Sequence, residues 1–450
     1  YLQIFMTETT NSLGTQKISK LLIKQAIPAS IGILVMSLNM IVDTIFVGQW
    51  IGSMAIAAIT VVLPIVFLIS SIGMGIGIGG SSIISRAFGA KDINQAYLTF
   101  GNQISLTLVL SIFFVSVGVL FYKPLLLLFG ANGAILDPAT AYFNVVLYGV
   151  PFLAFAMMGN PVIRAEGKPK FAMYAMILPA ISNILLDIIF IKFLNLGMFG
   201  AGLATSISYA VCGLFIFSFF LSKKSELIIK PSYFLLKVAI VKEIIQLGGV
   251  TIARQGTISV LMIVLNATLF TYGGENAIAV YGVINRVMMF ALFPVLGVTQ
   301  GFLPIAGYNY GAKNSERVKE VIKKAILYGS MVATLIFLGI ITFPEAIARL
   351  FTSDAALIKE TPKALLYVFL ATPVITAQLI GSAYFQAAGK ALPALVLTLL
   401  KQGIFLIPLV YLLPKFFGLN GVWFSFPIAD VLATLVTMIF LRIEVRKHLK

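Results

Sequence analysis

Apolar stretches of about twenty residues or more recur along the whole chain, separated by short polar segments. A helix of that length crosses roughly 30 Å of hydrocarbon. The apolar residues run continuously instead of alternating with polar ones, which argues against the strands of a membrane barrel. The pattern predicts an all-α integral membrane protein with twelve transmembrane helices. The predicted helices are residues 21–48, 55–85, 97–121, 139–160, 170–192, 197–221, 241–271, 278–306, 320–343, 362–386, 391–413 and 418–441.

The two halves of the chain resemble each other at a fixed offset. GAKDINQAY at 89–97 aligns with GAKNSERVK at 311–319, and LFGAN at 128–132 aligns with LFTSD at 350–354. Both pairs lie 222 residues apart. A duplicated set of six helices, an even number, leaves both copies in the same membrane orientation. The chain is therefore predicted to form two pseudo-symmetric six-helix lobes, an architecture of secondary transporters that work by alternating access.

The repeat sets the predicted domain boundaries. The N-terminal lobe covers residues 6–221, a basic linker covers 222–240, and the C-terminal lobe covers 241–450. The first methionine is Met6, so residues 1–5 are expected to be foreign to the natural chain. A polar stretch and a long apolar span without a small-residue cleavage site follow, which predicts an uncleaved first helix.

Composition and charge agree with a membrane protein. The 450 residues are 60% hydrophobic and 11% charged, whereas a soluble domain has about 25% charged residues. The mean hydropathy is +1.02. The net charge of +16 does not predict a nucleic-acid partner, because Lys and Arg lie in short segments between apolar runs rather than on one basic face.

The basic residues indicate topology instead. Most of the 32 Lys and Arg residues fall in the segments that are cytoplasmic when the N-terminus is inside. The predicted outer segments hold Lys123, Lys192, Arg349, Lys359, Lys363 and Lys415. Both termini are therefore predicted to lie in the cytoplasm, with the chain crossing the inner (plasma) membrane many times.

Several kinds of site are not predicted. Cys212 is the single cysteine and His448 the single histidine, so neither a disulfide framework nor a multi-histidine metal site is possible. GMGIGIGG at 73–80 lacks the Lys-Ser/Thr of a phosphate loop, and its small residues favour close helix packing. The loops contain no DDxxD pattern of a membrane-embedded transferase. We expect no enzyme and no cofactor.

Six charged side chains lie well within the predicted helices, away from their ends. The acids are Asp43, Asp187 and Asp430, and the cations are Arg254, Arg286 and Lys401. An ionised Asp at the bilayer centre costs about 2.5–3.5 kcal/mol on insertion scales, so such residues are functional candidates. Asp430 is the exception, because pairing with Lys401 or Arg254 would give it a structural role.

Polar residues recur four apart on two helices of the first half. Asn183 and Asp187 share one face of helix 5, and Asn39 and Asp43 share one face of helix 1. Oxygen ligands with one or two carboxylates suit a small hard cation, and carboxylates withdrawn from water could equally carry a proton. The positions 222 residues further on are apolar. The cluster is thus predicted to serve a function of the N-terminal lobe, with the choice of H⁺ or Na⁺ open.

The order and spacing of several short motifs resemble those of the multidrug and toxic compound extrusion (MATE) transporters, specifically of the DinF-like branch. The resemblance covers essentially the whole chain after Met6. The motifs are Pro28, Asp43 followed by FVG at 46–48, AIAAITVVLP at 55–64, SRAFGAKD at 85–92, RAEGKPK at 164–170, the Asn183 and Asp187 pair, and GAGLAT at 200–205.

This resemblance implies an export antiporter whose two lobes form a V. It implies that Asp43, Asn183, Asp187 and Thr205 bind the coupling cation, as metal ligands if the ion is Na⁺, and that Pro28 bends helix 1. Acids that other MATE branches place on helices 7 and 10 are replaced here by Arg254 and Gln378. The expected substrates are amphipathic, often cationic, drugs and toxic compounds, handled by a monomer in the lipid bilayer. Residues predicted to line the substrate cavity are Asn39, Tyr142, Asn160, Met157, Met173 and Arg286.

Two other transport functions are compatible with a multi-helix membrane protein, a lipid flippase and a passive channel. A flippase for a lipid-linked precursor is the main alternative, because the cationic second half could hold a pyrophosphate group. A passive channel is disfavoured by the off-centre position of the polar cluster and by the pseudo-symmetric lobes.

Overall fold

The computed structural model describes residues 8–449, and every regular element in that range is helical. The expectation for residues 1–5 lies outside the described residues. The helices of the first half are α1 Glu8–Thr15, α2 Ile18–Trp50, α3 Ser53–Gly89, α4 Ile93–Leu128, α5 Leu136–Ala165, α6 Pro169–Asp187 and α7 Gly197–Leu221.

The second half continues in the same way. Its helices are α8 Val238–Ala291, α9 Phe293–Gly311, α10 Ser315–Thr342, α11 Pro344–Phe351, α12 Ala355–Phe369, α13 Ile375–Ala387, α14 Ala391–Leu399, α15 Ile407–Leu412, α16 Pro414–Phe417 and α17 Leu419–His448. Short 3-10 turns occur at Gly133–Ile135, Pro231–Tyr233 and Thr372–Val374. The segments Ile188–Phe193 and Leu400–Leu406 are π-helical.

Within residues 8–449, eleven helical runs are long and apolar enough to cross a membrane. One of them, α8, has 54 residues and would extend about 80 Å. That length is more than two bilayer cores, and the backbone breaks at Gly274 (φ 62°, ψ −158°). The arm of α8 beyond Gly274 continues into α9. The predicted helices 7 and 8 are therefore both present, which agrees with the predicted fold of twelve spans.

The chain divides into two compact units. Within the described residues, the first contains residues 8–12 and 31–248, and the second contains residues 13–30 and 249–449. Helix α2 thus begins in the second unit and ends in the first. The predicted linker, 222–240, belongs to the first unit.

The first unit is built around α5, which contacts α3, α4, α6 and α7. Phe143, Val146 and Val150 of α5 pack with Val62 and Val66 of α3 in its apolar core.

Helices α3 and α5 approach closely through glycine. A Cβ on Gly77 would lie 2.7 Å from the carbonyl oxygen of Met158 and 2.8 Å from that of Met157. Close helix packing is thus the role of this small-residue segment, as predicted.

In the second unit α13 takes the central place and contacts α9, α10, α14 and α17. An apolar core joins α8, α12, α15 and α17, with Leu265, Leu365, Val410 and Trp423 fully or almost fully buried.

The internal repeat is visible in the backbone. In three pairs of residues that lie 222 positions apart, both members have a positive φ, which is unusual for a residue with a side chain. The pairs are Gly52 and Gly274, Lys91 and Lys313, and Gly167 and Gly389.

Helix caps repeat at the same offset. The Asp92 side chain accepts a hydrogen bond from Gln95 N at the start of α4, and Asn314 accepts one from Arg317 N at the start of α10. The two halves therefore share local structure as well as sequence, as expected for pseudo-symmetric lobes.

Candidate functional site

Three helices of the first unit each present two polar side chains one turn apart, and α5 adds another. We call this set the polar cluster. Its members are Asn39 and Asp43 of α2, Tyr142 of α5, Asn183 and Asp187 of α6, and Thr205 and Tyr209 of α7.

Direct contacts join the helices of the polar cluster. Asn39 Nδ2 donates a hydrogen bond to Asn183 Oδ1 at 3.1 Å, which connects α2 to α6. The hydroxyl oxygens of Tyr142 and Thr205 are 3.5 Å apart, which connects α5 to α7. The carboxyl groups of Asp43 and Asp187 lie close to each other, and the Tyr142 side chain is near both of them. Four of the five uncharged polar residues predicted for the site in the N-terminal lobe therefore meet around its two carboxylates.

The Asp187 carboxylate is the least satisfied group in the polar cluster. Its side chain is fully buried, and neither oxygen accepts a hydrogen bond. Asp43 beside it is half-buried. Two ionised carboxylates can only accept hydrogen bonds, so they cannot bond to each other. If one of them were protonated, its O–H could donate to the other. An uncompensated buried charge is costly, so a proton or a cation bound at these carboxylates would stabilise the arrangement.

Within residues 8–449, no Lys, Arg or His side chain forms an ion pair with either carboxylate. The ion pairs of this part of the chain involve neither Asp43 nor Asp187. Lys192, which follows Asp187 on the same helical run, lies over the Trp50 ring instead, with its Nζ 5.5 Å from the ring centroid.

Local helix irregularity positions Asp187. It is the last α-helical residue of α6 and is followed by the π-helical segment Ile188–Phe193. π-helical turns are rare and occur often at functional sites. One turn before Asn183, Pro179 lacks the N–H that would bond Ala175 O, and that carbonyl accepts from Cys212 Sγ of α7 at 2.9 Å. This contact fixes α6 against α7.

Close packing brings α7 to α5 at the level of the polar cluster. A Cβ on Gly202 would lie 2.9 Å from the carbonyl oxygen of Tyr142. Glycine therefore permits a backbone approach that places Thr205, three residues further along α7, next to Tyr142.

Three predicted cavity residues of the first unit lie away from the polar cluster. Asn160 is eighteen residues beyond Tyr142 on α5, about 27 Å along the helix. Its amide nitrogen donates to Ala172 O at 2.7 Å, and its oxygen accepts from Arg164 Nε at 3.2 Å. Met157 of α5 faces Gly73 of α3. Met173, half-buried near the start of α6, is about 21 Å of helix from Asp187.

Pro28 lies inside α2, which is helical on both sides of it. Proline provides no N–H for the carbonyl four residues earlier and weakens a helix at that point. The division of α2 between the two units comes two residues later, between Ser30 and Ile31. The predicted bend stays a prediction.

The second unit holds the remaining intramembrane charges. Lys401 Nζ lies 2.6 Å from Asp430 Oδ1, which confirms the predicted pair. Arg286 is exposed on α8, and Gln378 is buried with its amide donating to Leu397 O at 2.9 Å.

Tyr209 is a member of the polar cluster that sequence reasoning missed. Its ring lies beside Gly149 of α5, and its hydroxyl interacts electrostatically with Asp43. Its position four residues after Thr205 could have predicted it, because that spacing places both side chains on one face of α7.

Comparison with known proteins identifies the family of this chain. The MatE family profile matches residues 28–189 and again residues 250–412, so it detects both repeats. The multidrug export protein MepA of Staphylococcus haemolyticus is 29% identical over 427 residues, covering 94% of this chain and 92% of its own.

Solved structures give the same answer. An outward-facing multidrug resistance MATE transporter of the MOP superfamily superposes with a TM-score of 0.92 at 29% identity, covering 98% of each chain. A MOP superfamily transporter from Pyrococcus furiosus, whose binding pocket is described as having reverse polarity that suggests a different function, superposes with a TM-score of 0.91 at 28% identity over 98% of each chain. The protein belongs to the MATE family, and it is a multi-pass membrane transporter rather than an enzyme.

Proposed function

We propose that the protein exports amphipathic, often cationic, small molecules in exchange for H⁺ or Na⁺, and that the polar cluster binds the coupling ion. The observation that supports this most strongly is the fully buried Asp187 carboxylate, which lies beside Asp43 and has neither a hydrogen-bond donor nor a cation partner among residues 8–449. A group that is left uncompensated inside a membrane protein is a functional candidate.

The polar cluster suits both candidate ions. A hard cation prefers oxygen ligands, and the cluster supplies two carboxylates together with the amide oxygen of Asn183 and the hydroxyl of Thr205. A proton would need only the carboxylates, because protonation of one gives it a donor for the other. Either ion removes the repulsion between the two negative charges.

Coupling requires that the ion and the drug stabilise different conformations. A ligand shifts a conformational equilibrium only by its difference in affinity between the two states. In the proposed cycle the ion binds an outward-open state at Asp43 and Asp187, helix α2 bends near Pro28, and the drug leaves. The ion is released after the return to the inward-open state. Both termini would be cytoplasmic, in the inner membrane of a monomeric transporter.

The function is tested with purified protein in liposomes. Outward tenfold gradients of Na⁺ and of H⁺ are imposed separately, and accumulation of a cationic dye is followed. One ion per dye in a tenfold gradient supplies about 1.4 kcal/mol, enough for about tenfold dye accumulation. We expect accumulation with one of the two gradients, which identifies the ion. Dye that equilibrates passively under both gradients would refute the proposal.

Removal of the Tyr142 hydroxyl should weaken ion binding without abolishing transport. The Tyr142→Phe variant loses a hydroxyl that contacts Thr205 of the polar cluster near both carboxylates, and a hydrogen bond is worth about 1 kcal/mol. The concentration of coupling ion for half-maximal efflux should therefore rise about fivefold. Tyr148→Phe is the control, because Tyr148 is on the same helix with its side chain 76% exposed. Equal ion requirements in both variants would show that the hydroxyl does not contribute.

An anionic lipid-linked cargo is the second candidate. Arg254 and Arg286 of α8 take part in none of the ion pairs found within residues 8–449, and the related transporter from Pyrococcus furiosus is described as having a pocket of reverse polarity. Transbilayer movement of a fluorescent lipid pyrophosphate in the same liposomes would favour this function, with Arg286→Gln expected to slow it.

A further inference from the structure

A buried arginine of the first unit has no acidic partner. Arg164 lies in the last turn of α5 and is 4% exposed. It takes part in none of the ion pairs found within residues 8–449. One of its terminal nitrogens, Nη1, is buried and has no hydrogen-bond partner in this part of the chain. An uncompensated buried charge is costly, so an acidic group bound here would stabilise the guanidinium.

The other two guanidinium nitrogens have only neutral acceptors. Arg164 Nε donates to Asn160 Oδ1 at 3.2 Å, and Nη2 donates to the Met176 sulfur of α6 at 3.6 Å. A thioether is a weak acceptor, whereas the donors of a guanidinium match the two oxygens of a carboxylate. Asn160 and Met176 are half-buried, and a methionine side chain is flexible. Movement of the Met176 side chain would therefore open Arg164 to a ligand.

The nearest acids of the first unit do not neutralise Arg164. Glu166, two residues after it, lies 3.7 Å from Lys168 Nζ instead. The two oxygens of Glu166 also accept hydrogen bonds from the linker, at 2.8 Å and 3.1 Å. Asp187 is eleven residues beyond Met176 on α6, about 16 Å along the helix. The positive charge of Arg164 is thus separated from the negative charges of the polar cluster.

The polar cluster and Arg164 lie along the same pair of helices. Helices α2 and α6 meet at Asn39 and Asn183, whose side chains are hydrogen-bonded. Seven residues earlier on both helices, a Cβ on Gly32 would lie 2.5 Å from the Met176 sulfur, which contacts Arg164. A ligand that lies along α2 and α6 would therefore reach Arg164 at one end and the polar cluster at the other.

The second repeat keeps the same local structure without the charge. The Asn160 side chain donates to a backbone carbonyl of α6 at 2.7 Å, and 222 residues later the Ser382 side chain donates to a backbone carbonyl of α14 at 3.3 Å. The residue that corresponds to Arg164 is Gln386, which is neutral and also buried. The packing of this turn therefore accepts a neutral polar residue, and the positive charge is particular to the first repeat.

We propose that Arg164 binds a carboxylate of the transported molecule, so that the substrates include amphipathic molecules that carry an acidic group as well as a cationic one. This inference rests on the proposed export function, in which the coupling ion binds separately at the polar cluster. Asn160 orients the guanidinium through its Nε, and the Met176 thioether occupies the place that the carboxylate takes.

The test measures equilibrium binding of two dyes to the purified full chain in phosphatidylcholine nanodiscs. One dye is a rhodamine with a free carboxylate, and the other is the methyl ester of the same rhodamine. Fluorescence anisotropy gives both dissociation constants without any ion gradient. We expect the parent protein to bind the acid about tenfold more tightly than the ester, because a guanidinium and a carboxylate form strong, paired hydrogen bonds.

Substitutions of Arg164 identify the residue. Arg164→Gln introduces the residue of the second repeat, and it should remove the preference for the acid and leave the affinity for the ester unchanged. Arg164→Lys keeps the charge without the paired donors, so part of the preference should remain. Lys170→Gln is the control, because it removes the same charge from an exposed position at the start of α6, and it should leave the preference unchanged.

A second variant supplies the carboxylate within the chain. Met176→Glu places an acid of similar length where the thioether contacts Arg164 Nη2. The new ion pair should raise the unfolding temperature, and it should remove the preference for the acid dye because the site is then filled. Met176→Gln, which is neutral and of the same length, is the control and should do neither.

Equal affinities of the parent protein for the two dyes, or the same preference in Arg164→Gln, would overturn the inference. If Arg164→Gln does not fold, Met176→Glu decides, and an undiminished preference there overturns the inference as well. Loss of the parent's preference in nanodiscs that contain phosphatidylglycerol would assign Arg164 to a lipid phosphate and also overturn it. Failure of the export proposal is distinguishable, because it appears as absent dye accumulation under both ion gradients while the binding preference persists.

Discussion

Replacing Asp187 with Asn is expected to abolish ion-driven efflux while leaving the protein folded. Under a tenfold ion gradient, dye accumulation should fall from about tenfold to none, because the ion no longer distinguishes the two transport states. Stability should not fall, because Asp187 is fully buried with no hydrogen-bond donor in the described part of the chain, and the amide carries no charge. Dye accumulation and thermal unfolding, measured on the same preparation, check both parts.

The control for this variant is Asp354→Asn. Asp354 caps α12, where its side chain accepts hydrogen bonds from Ala356 N and Leu357 N. Asparagine caps a helix about as well as aspartate, so the same chemical change should affect neither transport nor stability. Asp43→Asn should behave like Asp187→Asn, because both carboxyl groups bind the same ion in the proposed mechanism. Full gradient-driven accumulation in Asp187→Asn would refute ion coupling through the polar cluster.

Much of the fold follows from the sequence, because membrane helices are specified by local composition. Hydropathy gives the spans, and the duplicated motifs give the repeat that reappears as paired positive φ values at Lys91 and Lys313. Hydropathy does not reveal that helices 7 and 8 are joined. The change of direction at Gly274 is made by one backbone conformation rather than by a polar loop.

The candidate site is also partly visible in the sequence. Asp43 and Asp187 stand out because a carboxylate in an apolar run is costly. Tyr209 does not stand out, since a tyrosine in a membrane helix carries no comparable cost. The π-helical turn after Asp187 is equally hidden, because Ile188–Phe193 is apolar with one lysine and has the composition of an ordinary helix end.

The burial of Glu166 could not be predicted from the sequence. This acid lies in the RAEGKPK motif at 164–170, in a turn where an acid would ordinarily be solvated. Its partners Thr10, Ser225 and Glu226 are 59 to 156 residues away. No local pattern reports a contact of that range, so its burial emerges only from the packed helices.

Substitutions in the ion pair between Lys401 and Asp430 should destabilise the fold, unlike the substitution of Asp187. The side chain of Lys401 is 20% exposed and that of Asp430 is 7% exposed, and their charges compensate each other at 2.6 Å. Breaking a buried pair by removing one partner costs about 3–5 kcal/mol, since the other charge is left alone. Lys401→Met and Asp430→Asn should therefore each lower the unfolding temperature markedly.

The double variant Lys401→Met/Asp430→Asn separates a structural pair from a coupling site. With both charges removed, most of the lost stability should return, because no buried charge is left unpaired. Ion-driven dye accumulation should persist, since the Asp43 and Asp187 carboxylates are unchanged. Thermal unfolding of the four proteins gives the coupling energy of the pair. Losses that simply add in the double variant would show that the pair does not stabilise the fold, and lost accumulation would place Asp430 in the transport mechanism.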